Sequence, residues 1–221
     1  MTSELFPQII ETDRLRLEPR TLEFVDLFEA YRICSGDEGI DDVTEYMPWN
    51  PHTTPEETRA FLERGRRVRA EATEAEYVVR PRTGEDGAGD IAGFASLKPD
   101  WDRRIAELGI WLRKRFWGRG YSGERATALV ELAFDRLDLE YVRVYHDVDN
   151  DNSRRAIERY VDRLGGQRDC LIRNRHAFEG TPVDEYQYTI SREQWRDAVG
   201  DERAARFVES HEEREGSNVD T

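Results

Sequence analysis

The run "RFWGRGYSGE", Arg115 to Glu124, sets glycines at positions 118, 120 and 123 just ahead of a long amphipathic pattern. Without Cβ atoms at Gly118 and Gly120, backbone N–H groups can converge on one point. A helix beginning near Tyr121 would add its unpaired first-turn donors and the positive end of its dipole. That combination suits phosphate, and a pyrophosphate in particular. A tight connection with no ligand is the competing reading of the same turn. Two phosphate motifs are excluded by residue type and context. A P-loop requires Lys and then Ser or Thr after its last glycine, whereas Tyr121 and Ser122 follow Gly120. Gly118, Gly120 and Gly123 fit the G-x-G-x-x-G dinucleotide pattern letter by letter, but they come behind several strands and lack the opening βαβ unit.

The elements that must position this turn follow from periodicity. "RLRLEP" (Arg14 to Pro19) alternates and reads as a first strand. "TLEFVDLFEAYRICS" predicts a helix capped by Thr21, with Leu22, Val25, Phe28 and Ile33 on one face. Residues 36–57 read mostly as loop, until Thr54, Pro55, Glu56 and Glu57 open a helix running to about Ala72. "EYVVR", "IAGFASLKP" and "RIAELGIWLR" are strands, the first two joined by a hairpin loop over Pro81 to Asp90. After the glycines, Ala126, Leu129, Val130, Ala133, Phe134 and Leu137 form the stripe of a helix packed on a sheet. "YVRVYHDV" is a strand, "NSRRAIERYVDRL" a helix closed by Gly165 and Gly166, and "QRDCLIRN" and "DEYQYTIS" two last strands. The order predicts an α+β fold: one mixed sheet of about seven strands, with helices on both faces. A single domain is expected over residues 1–195. Residues 196–221 read as a charged tail, helical at first and disordered beyond about Glu209.

Bulk composition narrows the function classes. The 221 residues suffice for one cored domain and are short for two. Net charge is −14, and of 33 basic residues only Lys98 and Lys114 are lysines. Such a chain lacks the basic face of a nucleic-acid binder. Acidity with few lysines suggests a salt-loving host; an arginine-favouring, GC-rich genome is the alternative. No apolar run is long enough to span a membrane, and the first residues do not read as a signal peptide. Cys34 and Cys170 have no metal-type spacing and need not pair, no metal is expected, and the cytoplasm is the expected compartment. Monomer and homodimer both remain open.

The wider stretch from "AELGIWLRKRFWGRGYSGERATALVELAF" through "YVRVYHDVDNDNSRRAIER" resembles the GCN5-related N-acetyltransferase (GNAT) superfamily, with "RFWGRG" at its Arg/Gln-x-x-Gly-x-Gly/Ala acyl-CoA motif. "IETDRLRLEP", "YMPWNPHTTPEETRAFL" and "DEYQYTISREQW" extend the likeness to the RimJ/RimL-like branch of ribosomal-protein N-acetyltransferases, over residues 9–195. The resemblance implies acetyl-CoA as co-substrate, lying in a V-shaped gap between "ELGIWL" and "YVRVYH", the fourth and fifth strands of this reading.

Residue by residue, the resemblance implies that backbone groups around Ile110, Trp111 and Leu112 pair with the pantetheine arm. Arg115, Trp117, Gly118, Arg119, Gly120 and Tyr121 would wrap the pyrophosphate, the two arginines adding charge unless they belong to a solvated face. Asn150 and Ser153 match the family's Asn-x-x-Ser: Asn150 would bond to pantetheine amides, and Ser153 would serve the departing thiolate. Both residue types before a helix are also ordinary N-caps. Relatives place a tyrosine four residues after that serine, where this chain has Ile157; Tyr160 is the nearest substitute, with packing on the sheet as its competing role. Glu107 is the first candidate for the base that deprotonates the amine, and His146 the second. Trp49, Asn50 and His52 fall in the loop that lines the acceptor site of relatives. The implied reaction is acetyl transfer to an amine by direct attack. A protein N-terminal α-amine fits best, because at neutral pH about a tenth of such groups are uncharged, against well under about 0.1% of lysines. A ribosomal or other protein N-terminus is thus the expected partner. A small-molecule amine and a non-catalytic acyl-CoA-binding module are the alternatives.

Overall fold

Neighbouring residues of the strand Ala75–Pro81 enter different cores, which explains its nearly unbroken buried run. Ala75, Tyr77 and Val79 join the larger hydrophobic cluster and Val78 the smaller one, on the opposite face of the sheet. The structure, a computed structural model, describes residues 5–178 and 180–209. In chain order the elements are β1 (Ile9–Glu11), β2 (Leu15–Pro19), α1 (Leu27–Gly36), α2 (Ile40–Thr44), α3 (Pro55–Ala70), β3 (Ala75–Pro81), β4 (Gly93–Asp100) and β5 (Ile105–Leu112). A 3-10 turn (Lys114–Phe116) leads to α4 (Tyr121–Glu131), followed by β6 (Tyr141–Asp147), α5 (Asp151–Arg163), β7 (Gln167–Phe178), β8 (Thr181–Ser191), α6 (Arg192–Val199) and β9 (Arg206–Val208).

One sheet carries the order β7-β8-β6-β5-β4-β3-β2-β1-β9. Every neighbouring pair is antiparallel except β5 and β6. Leu129 of α4, Ile157 of α5 and Trp195 of α6 belong to the larger core, whereas Ile33 of α1 and Leu62 of α3 belong to the smaller. The expected α+β architecture with helices on both faces therefore holds. So does the splay. The parallel pair is joined only at Ile105–Tyr141, Ala106–Val142 and Glu107–Arg143. Past that rung β5 runs on to Leu112 and β6 to Asp147 without pairing to each other.

Several expectations need correction. The sheet has nine strands rather than about seven. The two additions, β1 and β9, have three residues each, too few to show a period. They are tied together by Glu11, which ion-pairs with Arg16 and Arg206. The first helix starts at Leu27, not near Thr21, because the Asp26 side chain caps it by accepting from the Glu29 N–H at 2.8 Å. Thr21 opens a turn instead, and Leu22 and Phe28 are exposed while Val25 and Ile33 are buried. Within the stretch read as loop, Ile40–Thr44 forms α2. The strand expected to end at Asn174 continues to Phe178 through a bulge. Part of the region read as tail folds back as the end of α6 and as β9, where the Glu131 carboxylate accepts the N–H groups of Ala204 (2.8 Å) and Ala205 (2.9 Å). The disorder expected beyond Glu209 falls outside the described residues.

Candidate active site

The glycine turn takes the shape its residue types demand. Gly118 and Gly120 have φ of +76° and +81°, a region that side chains strain. Gly120 is the N-cap of α4, so no side chain covers the first-turn N–H groups of that helix. A Cβ at Gly118 would meet nothing within 4 Å, which leaves the cradle open. Phe116 is buried beneath the turn and stacks on Tyr121 with ring centres 6.1 Å apart. Trp117 closes the other side by donating its indole N–H to the Leu112 carbonyl at 2.8 Å.

From this turn a groove of about 1510 Å³ runs between α4 and α5 to the fork of β5 and β6. Ile110, Trp111 and Leu112 line it along β5, and Trp117, Gly118, Gly120 and Tyr121 at the turn. Asn150, Ser153, Ile157 and Tyr160 contribute from α5, and Glu107 and His146 from the fork. The fold thus gathers most of the residues singled out in the sequence. Arg115 and Arg119 stand apart: Arg115 ion-pairs with Asp90 at 3.1 Å and Arg119 with Asp86 at 2.7 Å, both on the β3–β4 loop. Trp49 and His52 also lie behind the wall. Trp49 backs Trp111 at 5.1 Å between ring centres, and His52 bonds through Nδ1 to the Thr58 hydroxyl at 2.7 Å. Burial pushes the His52 pKa below its ordinary value, and Glu57 opposes that shift. Asn50 neighbours this stack in the chain and does not line the groove. The groove wall on this side is built from Val43, Glu45, Tyr46, Met47 and Pro48.

At the fork, Glu107 is held by two guanidinium groups. Arg143 approaches it at 3.4 Å from the facing strand and Arg175 at 3.2 Å from β7. Arg175 also lies 3.6 Å over the Tyr145 ring and pairs with Glu185 at 2.9 Å. Burial opposes its charge, but Glu107 and Glu185 outweigh burial and hold its pKa above the ordinary value. A register shift between Ile172 and His176 turns this part of β7 into the groove, with Asn174 at φ +51° inside it. Sequence periodicity missed Arg143 and Arg175. The one local signal was Asn174, a residue type that tolerates left-handed backbone.

His146 is 4% exposed and bonds at both ring nitrogens, Nδ1 to the Asp147 carbonyl at 2.7 Å and Nε2 to the Tyr188 hydroxyl at 3.1 Å. A carbonyl can only accept, so Nδ1 carries a proton there, and with Nε2 engaged by the tyrosine hydroxyl neither nitrogen is open to a substrate. The N-cap of α5 is Asn150, whose side-chain oxygen accepts the Ser153 N–H at 2.9 Å. The Ser153 hydroxyl takes no part in that cap. Tyr160 is 2% exposed with its hydroxyl unpartnered among the described residues, and burial pushes its pKa up to about 12, with Arg125 partly opposing.

Arg14 was also missed. Its guanidinium pairs with Glu124 at 2.6 Å and donates to the Arg119 carbonyl at 3.0 Å, bracing the turn from the β1–β2 side. Among the described residues no group of three or more His, Cys, Asp or Glu is placed to hold a metal, and no helix is long and apolar enough to cross a membrane.

The open cradle, the first-turn donors and the unpaired edge of β5 fit acetyl-CoA. Comparison with known proteins agrees. Residues 14–160 match the family described as acetyltransferase (GNAT) domain. The uncharacterised N-acetyltransferase p20 of Bacillus licheniformis is 22% identical over 188 residues, covering 85% of this chain and 98% of p20. YdaF of Bacillus subtilis (strain 168), named provisionally as a ribosomal N-acetyltransferase, is 32% identical over 108 residues, 48% of this chain and 57% of YdaF. The structure of RimL, a ribosomal L7/L12 α-N-protein acetyltransferase, has the same fold, with a TM-score of 0.69 at 18% identity over 84% of this chain and 94% of RimL. With the family match spanning most of the forked sheet and its glycine turn, the chain belongs to the GNAT family and is an acetyl-CoA-dependent N-acetyltransferase.

Proposed function

We propose that this enzyme acetylates a protein N-terminal α-amine in the cytoplasm by direct attack on the thioester. The observation that carries this reading is the course of the groove, about 1510 Å³ for cofactor and acceptor together. It reaches beyond the fork to the Glu45–Pro48 loop, leaving space for an extended chain end beside the cofactor. The RimL and YdaF names point the same way, and so does the larger uncharged fraction of an α-amine at neutral pH.

When bound, acetyl-CoA supplies the activated acyl group. The chain's own groups then divide the work. Glu107, at the end of the paired part of β5, takes the proton released by the attacking amine, through one water where the amine does not reach it. The unpaired edge of β5 orients the acyl arm as an added strand would. On the opposite wall, Ser153 and Tyr160 supply the proton that the leaving sulfur takes up as the carbon–sulfur bond breaks. Tyr160 stays protonated throughout the neutral range. Trp49 and His52 support the acceptor wall through Trp111, while Glu45, Tyr46 and Pro48 face the acceptor.

A thiol-release assay tests the reading directly, with acetyl-CoA against peptides bearing free α-amines and against polyamines and other small amines, at low and molar salt. Turnover with peptides is expected to dominate. Preference for small amines would replace the protein acceptor, and acetyl-CoA binding without thiol release would point to a non-catalytic module.

A further inference from the structure

One buried cation in the groove lacks an acidic partner. Arg125 lies one turn into α4, is 1% exposed and lines the groove wall. Neither its Nε nor its Nη1 meets a hydrogen-bond acceptor among the described residues. Tyr160 reaches the same wall from α5, and its hydroxyl is also unpartnered. The two helices pack closely here: a Cβ at Gly123 would stand 3.5 Å from the Tyr160 Cβ, at van der Waals contact. Burial pushes the Arg125 pKa down to about 10, and Tyr160 opposes that shift.

A desolvated guanidinium with open donors is unfavourable unless something satisfies it. Other sheltered arginines of this chain meet a carboxylate: Arg20 pairs with Glu76, and Arg113 with Asp37 at 2.7 Å. Among the described residues Arg125 has no such carboxylate. Helical side chains lean toward their helix N-terminus, so Arg125 leans back toward the Gly118–Gly123 turn. Three other arginines near that turn pair with carboxylates, Arg115 with Asp90, Arg119 with Asp86 and Arg14 with Glu124, while Arg163 donates to the Gly123 carbonyl and the Thr127 hydroxyl. The first-turn N–H groups carry only partial charge.

We propose that Arg125 is a cofactor-binding residue whose open donors are completed by the diphosphate of acetyl-CoA, so that binding relieves an unpaired buried cation of the unliganded protein. This rests on the acetyl-CoA reading of the groove. Arg125 accordingly trades stability of the empty protein for affinity.

The test compares the full-length wild type with Arg125→Met and Arg125→Lys by thermal denaturation with and without acetyl-CoA. Calorimetric affinities for acetyl-CoA and for S-acetylpantetheine, which lacks the diphosphate, complete it. Arg125→Met is expected to melt roughly 2 °C or more above the wild type when unliganded, because an uncompensated buried charge is gone. Its acetyl-CoA-induced shift should shrink and its acetyl-CoA affinity fall by on the order of tenfold, the loss of a charge-assisted hydrogen bond. S-acetylpantetheine affinity should stay within about twofold, and Arg125→Lys should recover part of the acetyl-CoA affinity. Arg125→Gln serves the same comparison if the methionine variant does not fold. Wild-type affinity for acetyl-CoA in the variants, or equal weakening of both ligands, overturns the proposal. A wild type that binds no acetyl-CoA overturns the underlying reading instead.

Discussion

Glu107 and Arg143 are partners on the last paired rung of β5 and β6, and their side chains form an ion pair at 3.4 Å there. Beyond that rung the strands separate, so the cofactor gap begins where this cross-strand contact ends. Arg175 closes on the same carboxylate from β7. The candidate base therefore occupies a set position at the apex of the fork, held from two directions.

That position makes Glu107 the most direct target. Glu107→Gln keeps the shape and the hydrogen-bonding reach but cannot take a proton. We expect kcat to fall by about 10²-fold or more, the usual scale of general base catalysis, with acetyl-CoA affinity retained. Steady-state kinetics together with calorimetry checks this. Wild-type turnover in the variant would remove Glu107 from the base role.

The glycine turn is expected to be intolerant. Replacing Gly118 and Gly120 together by valine forces β-branched residues into positive φ, at +76° and +81°, and fills the cradle. Acetyl-CoA binding should be lost while the remainder of the sheet stays folded by circular dichroism. Unchanged affinity would falsify the phosphate role of the turn.

Tyr160→Phe separates proton donation from packing. The hydroxyl has no partner among the described residues, so its removal should leave thermal stability unchanged or slightly higher. If Tyr160 supplies the leaving-group proton, kcat falls by roughly tenfold or more. With its pKa up at about 12, this acid is lost only in strongly basic solution, so no limb from Tyr160 is expected in the neutral pH–rate profile. Unaltered kcat would pass the role to Ser153 or water.

Acid should release the edge strand β9. Burial works against the Glu11 charge, but hydrogen bonds and charge from Arg206, then Arg16, outweigh it and hold the pKa below the ordinary carboxylate value. A depressed folded-state pKa means the contribution is complete above the unfolded value of about 4.3 and disappears as pH falls through the folded value. Protection of the Phe207 amide against hydrogen exchange, in the strand position paired with Ile10, should be high at pH 7 and drop below about pH 4 ahead of β3 and β4. Equal protection at both pH values would exclude Glu11 as the clasp.

The parts legible in the sequence were those coded by local physics. The stripe from Ala126 to Leu137 reads at helical period, and every member is buried. The cap Thr54 with Pro55 starts α3 where that pattern predicts. The glycine turn declared its positive-φ backbone by residue type alone. The misreadings share another cause. Leu22 and Phe28 are apolar but exposed, and a period cannot say which helical face finds a core. β1 and β9 form only because distant chain segments meet at the sheet edge.

At the site the same division holds. Sequence by itself determined the acyl donor, because the glycine turn and the strands that flank it are encoded within contiguous residues. It could not decide which charges act there. Arg115 and Arg119 adjoin the turn in sequence but pair with Asp90 and Asp86, whereas Arg14 and Arg175 are brought to the groove by the β1–β2 connection and a bulge in β7. Long side chains choose partners by proximity in space, and that proximity is set only once the sheet has assembled its remote strands. Tertiary structure therefore decided the electrostatics of the groove, including the unpaired guanidinium of Arg125.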